Sequence, residues 1–270
     1  ALSVLVFGLV PALYATRGKL ADALREGASA VSGSGRRLRD GLVVGQFALA
    51  VIVLLGAGLM LRSFARLQSV DLGFAHEEVL RFSVNLPATR YSDAERVAFV
   101  HRLQEAIVAL PGAEAVGVNM NSPYGDFRAS NFVAAAENVP DRQEGFVPLS
   151  WRSVTGEFFA ASGVPLLTGR TFDGRDRPPD AMPGEGEPPL EIPVIVDRNL
   201  ADRLWPDGGA VGKAGVWEQP GGMPFRVIGV VGSMRDEYVD GPPRPRVYLP
   251  YDYFPWAEPT VLVRASTDPA

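Results

Sequence analysis

Residues 42–61 read LVVGQFALAVIVLLGAGLML, twenty residues without a charge in which Gln46 is the one polar side chain. As a helix rising 1.5 Å per residue they cover about 30 Å, the hydrocarbon thickness of a bilayer. A buried core helix seldom runs so far without a charge, so length and composition together predict a transmembrane helix. Gly45, Gly56 and Gly58 are small enough for a partner helix to approach, although they lack GxxxG spacing.

The flanks set an orientation. Residues 16–41 hold six basic side chains (Arg17, Lys19, Arg25, Arg36, Arg37 and Arg39) against Asp22, Glu26 and Asp40, whereas the chain from Arg62 onward is acidic overall. Short basic segments stay in the cytoplasm while long domains cross largely regardless of charge. Residues 16–41 are therefore expected to be a cytoplasmic linker, with everything from about Arg62 outside; Arg62 and Arg66 sit on the translocated side and oppose this slightly. The uncharged run 1–15 (ALSVLVFGLVPALYA) is too short to span alone and reads as the end of a preceding membrane helix. A start inside an apolar run, without Met, predicts a piece of a longer polypeptide.

Within the linker, residues 19–27 (KLADALREG) form a short amphipathic turn with Leu20, Ala23 and Leu24 on one side. It reads either as a helix end resting on headgroups or as a docking element for a cytoplasmic partner. Residues 29–35 (SAVSGSG) are a flexible link.

Beyond the span, Phe64, Leu67 and Val70 keep helical spacing, which predicts a helical stalk over 62–76. Residues 77–270 then read as one large extracytoplasmic domain. Residues 79–86 alternate as a strand. Ser92 and Glu95 have capping-box spacing at the head of a helix running to residue 110, with Phe99, Val100, Leu103, Ile107 and Leu110 as its apolar stripe and Pro111-Gly112 as its stop. A returning strand over 115–119 completes a β-α-β unit. Strands are expected at 147–154 and 165–167 around a short helix at 156–162. Residues 174–193, with six prolines and three glycines, read as a mobile loop. A second unit follows: strand 194–196, helix 198–204, then strands 225–231, 247–249 and 260–264. The predicted class is α+β, a transmembrane helix plus a domain of two β-α-β-like units with an inserted small lobe.

Little in the sequence points to catalysis. The acidic balance disfavours a nucleic-acid partner, and the absence of cysteine removes disulfides and thiolate chemistry. His76 and His101 are the only histidines, and both read as solvated surface groups. Neither HExxH nor paired histidine spacing occurs, so no metal, cofactor or catalytic residue is assigned. Asp173 and Asp176 around Arg175 read as a charged loop in preference to a cation site. Gly229 and Gly232 after a strand match only part of a phosphate loop. The turn at 241–245 (GPPRP) fits either a polyproline ligand or a rigid lead into the next strand.

Blocks in order carry a resemblance. LVPALYATRGKLADALREG at 9–27 resembles the C-terminal end of an FtsX-like permease domain, with Pro11-x-x-x-Ala15 followed by Asp22-Ala23-Leu24-Arg25. RRLRDGLVVGQFALAVIVLLGAGLMLRSFARL at 36–67 resembles the first span of a MacB-type permease. GEFFAASGVPLLTGRTF at 156–172, IPVIVDRNLADRLWPDGGAVGK at 192–213 and FRVIGVVGSMRDEYVDGPPRPRVYLPY at 225–251 are similar to its periplasmic core domain. The arrangement is similar to permeases in which two such halves run in one polypeptide. The resemblance implies a bacterial inner-membrane subunit of an ABC transporter, working as a permease dimer or pseudo-dimer in the lipid bilayer with a cytoplasmic ABC ATPase on a separate subunit. ATP hydrolysis would move the stalk helices, and the periplasmic domain would transmit that motion. Leu20, Ala23, Leu24 and Arg25 are then candidates for docking the ATPase. The alternative is a single-span signalling receptor with an extracytoplasmic sensor, which has no need of the apolar run at 1–15.

Overall fold

The computed structural model describes residues 33–68, 73, 79–120, 131–141, 143–179, 189–218, 222–234 and 244–266. Two compact units divide the chain at Gln68.

The first holds α1 (Gly33–Gln68), 36 residues of uninterrupted helix. Its length is about 54 Å, well beyond the hydrocarbon thickness. Residues Asp40–Arg66 are long and apolar enough to cross a membrane. Large apolar side chains from Leu42 to Phe64 are exposed along it, as a lipid-facing or partner-facing helix requires. The helix thus extends beyond 42–61 at both ends and includes residues 62–68 of the expected stalk; of the rest of 62–76, all but Gly73 lies outside the described residues.

The second unit runs through β1 (Val79–Ser83), α2 (Asp93–Val108), β2 (Ala113–Asn119), β3 (Asn131–Ala135), β4 (Val147–Val154), α3 (Phe158–Ser162), β5 (Leu166–Gly169), β6 (Ile192–Asp197), α4 (Arg198–Leu204), β7 (Ala214–Trp217), β8 (Pro224–Val231), β9 (Arg246–Pro250) and β10 (Thr260–Ala265). The mixture is α+β. β1 and β2 each pair antiparallel with β10, which lies between them. They are therefore parallel to one another, and β1–α2–β2 is a split β-α-β unit. The second unit is β6–α4–β8, whose strands pair in parallel, with the β7–β8 hairpin folded into the crossover.

The remaining pairings close on themselves. β4 pairs β3, β3 pairs β7, β7 pairs β8, β8 pairs β6, β6 pairs β9, and β9 returns in parallel to β4. Six strands make a ring around one apolar core, to which they give Val133, Leu149, Val194, Val196, Phe225, Val227, Val247 and Leu249. α4 touches β4, β6, β8 and β9, so it lies across the ring, and it adds Leu200 and Ala201 to that core. Closure leaves these strands without the free edges that an open sheet must protect.

Ring and split unit join at Asn119↔Val154, the one register pair between β2 and β4. Backbone bonds from Met120 N to Ser153 O (2.9 Å) and from Thr155 N to Val118 O (3.0 Å) extend the junction. α3 covers it from one side: Phe158 and Phe159 pack on Tyr248 of β9, with ring centroids 6.2 and 5.0 Å away. Gly117 makes this possible, because a Cβ there would run into the Phe158 backbone. Gly229 has the same function on β8. It admits the backbone of Arg170 at the end of β5, so packing rather than phosphate binding explains that glycine.

α2 begins as its capping box predicts: Ser92 N donates to Glu95 Oε2 at 2.8 Å and Glu95 N donates to Ser92 Oγ. The bonds that Ser92 N and Ser92 Oγ donate to it hold the Glu95 carboxyl below its ordinary pKa. Val100 is buried and Leu103 and Ile107 pack against the same cluster, as the apolar stripe of α2 predicts; Leu110 is exposed instead, and Arg96 and Gln104 are buried alongside Val100. The reason lies at the sheet edge, where β4 stops short of Val116. Gln104 Nε2 donates to Val116 O at 2.7 Å and to Thr155 Oγ1 at 3.0 Å, satisfying an acceptor that no strand reaches. Two boundaries also shift. β1 ends at Ser83, although Leu86 is buried beyond it. β6 begins at Ile192, so Pro193 stands inside the strand, where β9 pairs only with Ile195 and Val196 and one edge needs no donor.

Candidate functional site

A cleft opens where α2, the turn after β9 and the segment 172–177 meet. His101, Thr155, Glu157, Arg177, Tyr251 and Asp252 are among its lining residues, and its volume is about 160 Å³. Past His101, Arg177 and Asp252 it continues into a more apolar hollow of about 540 Å³ against Ala94, Val97, Ala98 and Pro178.

Local chemistry orders the walls. Asp173 caps the 3-10 turn Gly174–Asp176, accepting the N–H of Arg175 at 2.9 Å and its guanidinium at 2.6 Å. That pairing holds its carboxyl far below the usual carboxylate range. Asp176 is buried and grips Arg170 through both oxygens while accepting the N–H of Asp173 at 2.9 Å. The pair raises the Arg170 guanidinium pKa further. Both acids are thus committed to neighbouring arginines and backbone, in keeping with a charged loop.

The turn after β9 carries Tyr251 and Asp252. Tyr251 donates to Trp256 O at 3.2 Å, and burial pushes its phenol up to about 12. Asp252 Oδ1 meets His101 Nε2 at 2.8 Å, and its Oδ2 lies 3.5 Å from Arg177 Nε. His101 is therefore partly exposed but held by a carboxylate rather than freely solvated. The hydrogen bond to Asp252 raises its pKa above the ordinary imidazole value, against the opposing effects of burial and Arg177. Sequence reasoning missed it because its partner lies 151 residues away. Helical spacing places His101 one position from the buried Val100, which makes a half-buried position readable; the carboxylate is not.

Away from the cleft, where β4 and β9 pair at Ser150↔Arg246, lies a buried polar cluster that no sequence signal announced. Asp197, at the end of β6, accepts from Leu200 N at 2.9 Å and from Arg246 N at 3.0 Å. Arg246, only 1% exposed, donates from Nε to Ser150 Oγ at 3.1 Å. Three strands of the ring, β4, β6 and β9, are tied together there. Burial raises the Asp197 pKa, and its hydrogen bonds partly offset that rise. Pro245 leads straight into β9, with its carbonyl accepting from Ser150 N at 3.0 Å, which favours the rigid-lead reading of that turn.

The docking candidates Leu20, Ala23, Leu24 and Arg25 lie outside the described residues, as does His76. Among the described residues no cluster of three or more histidine or acidic side chains could hold a metal ion.

The profile of the MacB-like periplasmic core domain matches residues 41–270, taking in both most of the apolar helix and the domain beyond it. The chain belongs to the MacB-like periplasmic core domain family. It is accordingly a permease component of an ABC transporter, a membrane protein whose large domain lies outside the cytoplasm. The periplasmic region of MacB from Actinobacillus actinomycetemcomitans is 14% identical, with 73% of this chain and 78% of that one covered and a TM-score of 0.42. The extracellular domain of the noncanonic ABC-type transporter YknZ from Gram-positive bacteria is 16% identical, with 70% and 84% covered and a TM-score of 0.40. No curated protein matches the sequence.

Proposed function

We propose that this chain couples ATP hydrolysis on a separate cytoplasmic ABC ATPase to movement of its extracytoplasmic domain, in a bacterial inner membrane and within a permease dimer or pseudo-dimer. One observation carries the reading: α1 continues without a break from Gly33 to Gln68, about 54 Å against a hydrocarbon core of about 30 Å. A simple anchor needs only the apolar part. A helix that stays intact into aqueous regions can transmit displacement along its axis, because its backbone bonds resist compression and bending. In this scheme residues 16–41 are the cytoplasmic linker, Leu20, Ala23, Leu24 and Arg25 meet the ATPase, and residues 62–68 are the start of the stalk.

Co-purification tests the partner. The full-length protein is expected to bring down an ABC ATPase, and Leu24→Asp to weaken the association. A Gly-Gly insertion after Arg66 is expected to leave the association intact while abolishing ATPase-dependent function. Retention of full function by the insertion variant would remove the mechanical coupling.

A further inference from the structure

We propose that His101, Asp252 and Arg177 form a pH-sensitive clasp across the mouth of the cleft: a charged His101 holds α2 to the turn after β9, and loss of its proton releases that hold. The clasp is independent of the coupling role above, since it would operate in a domain of any function.

The geometry is that of a single carboxylate shared by three segments distant in sequence. Asp252, with its side chain 12% exposed, receives His101 from α2 at 2.8 Å and Arg177 from the segment after the 3-10 turn at 3.5 Å. The turn holding the carboxylate is itself fixed, because Tyr251 donates to Trp256 O and Phe254 N to Tyr251 O. α2 has no other side-chain bond to that turn among the described hydrogen bonds. Val100 packs with Tyr251 in one apolar cluster and keeps the helix seated, so the His101 contact sets how tightly the rim of the cleft is held rather than whether the helix docks. A neutral imidazole can still donate one hydrogen bond to the Asp252 carboxylate, but the Coulombic attraction between imidazolium and carboxylate goes with the proton.

Every element around His101 contributes charge. Asp252 and Arg177 face it directly, and Glu157, just before α3, adds a more distant negative charge. Asp173 and Asp176 line the same cleft but are committed to Arg175 and Arg170. Asp93, on the same helix, borders the adjoining hollow and is paired with Arg96. The balance favours the imidazolium, and the direction of its pKa agrees. A histidine whose pKa is raised in the closed state contributes fully below the free imidazole value of about 6.5, and that contribution fades as pH rises through the closed-state value.

The sequence has only two histidines, so imidazole signals are assignable with one substitution, His76→Gln. Carbon-13 NMR of the full chain in lipid nanodiscs, with histidine labelled, should place the His101 midpoint above that of a free imidazole. Hydrogen exchange corrected for intrinsic rates should accelerate several-fold over residues 97–104 and 250–254 as pH rises through that midpoint. Asp252→Asn should lower the midpoint and remove the acid-side protection. In His101→Gln the step in exchange should vanish while the rest of the domain keeps its protection. A midpoint at or below the ordinary value, or an unchanged step in His101→Gln, would overturn the clasp.

Discussion

Asp197 Oδ1 accepts the backbone N–H of Arg246 at 3.0 Å, joining the end of β6 to the start of β9 inside a site where the carboxyl is almost fully buried. The same oxygen caps α4 through Leu200 N. A short polar side chain thus fixes a helix start and a strand start together.

Removing that acceptor is expected to be costly. Asp197→Ala leaves two buried N–H groups without a partner and should destabilise the domain by about 1–3 kcal/mol. Asp197→Asn keeps an acceptor oxygen and should cost less. Burial raises the acid's pKa in the fold, so its contribution is complete below the unfolded value of about 3.9 and declines as pH rises through the folded one. Asn should flatten that part of the stability profile. Urea unfolding of the full chain in detergent, followed by tryptophan fluorescence at several pH values, measures both effects.

Gln104 is the second polar residue that holds the fold from inside. Its amide serves Val116 O and Thr155 Oγ1 at the place where ring and split unit join. Gln104→Leu satisfies the helix stripe but orphans the carbonyl, and should cost about 1–3 kcal/mol. The same denaturation assay applies, and faster amide exchange is expected at Val118, whose N–H bonds Thr155 Oγ1 at 3.0 Å.

Gly117→Ala should be more damaging than its size suggests. The added methyl meets the Phe158 backbone, which cannot rotate away as a side chain could. A displacement of α3 would loosen Phe158 and Phe159 from Tyr248. Overpacking of this kind costs about 1–3 kcal/mol, and limited proteolysis should find new cleavage within residues 155–165.

In α1 the sensitive property is apolarity rather than packing. Leu54 is 72% exposed within the apolar stretch. Leu54→Asp should raise the cost of insertion by about 3–4 kcal/mol, whereas Leu54→Ile should be neutral. Alkaline carbonate extraction of membranes separates the two outcomes.

Residues 42–61, the Ser92–Glu95 capping box and the strand at 225–231 were legible because their signals are local: a run without charge, a cap with its partner three residues on, a strand apolar at every position but Arg226. β3 and β7 were not. Val133↔Trp217 joins residues 84 positions apart, and each strand is short, so neither carries a period long enough to declare itself.

The sequence by itself determined the membrane helix, the helix boundaries of the β-α-β units and the family, because each depends on neighbours within a few turns or on blocks in order. Tertiary structure alone decided that six strands close into a ring, that α2 buries Arg96 and Gln104 beside Val100, and that His101 meets Asp252. Those outcomes depend on which distant backbone or carboxylate arrives beside a side chain. A hydrogen bond between residues 151 positions apart leaves no periodicity in either segment.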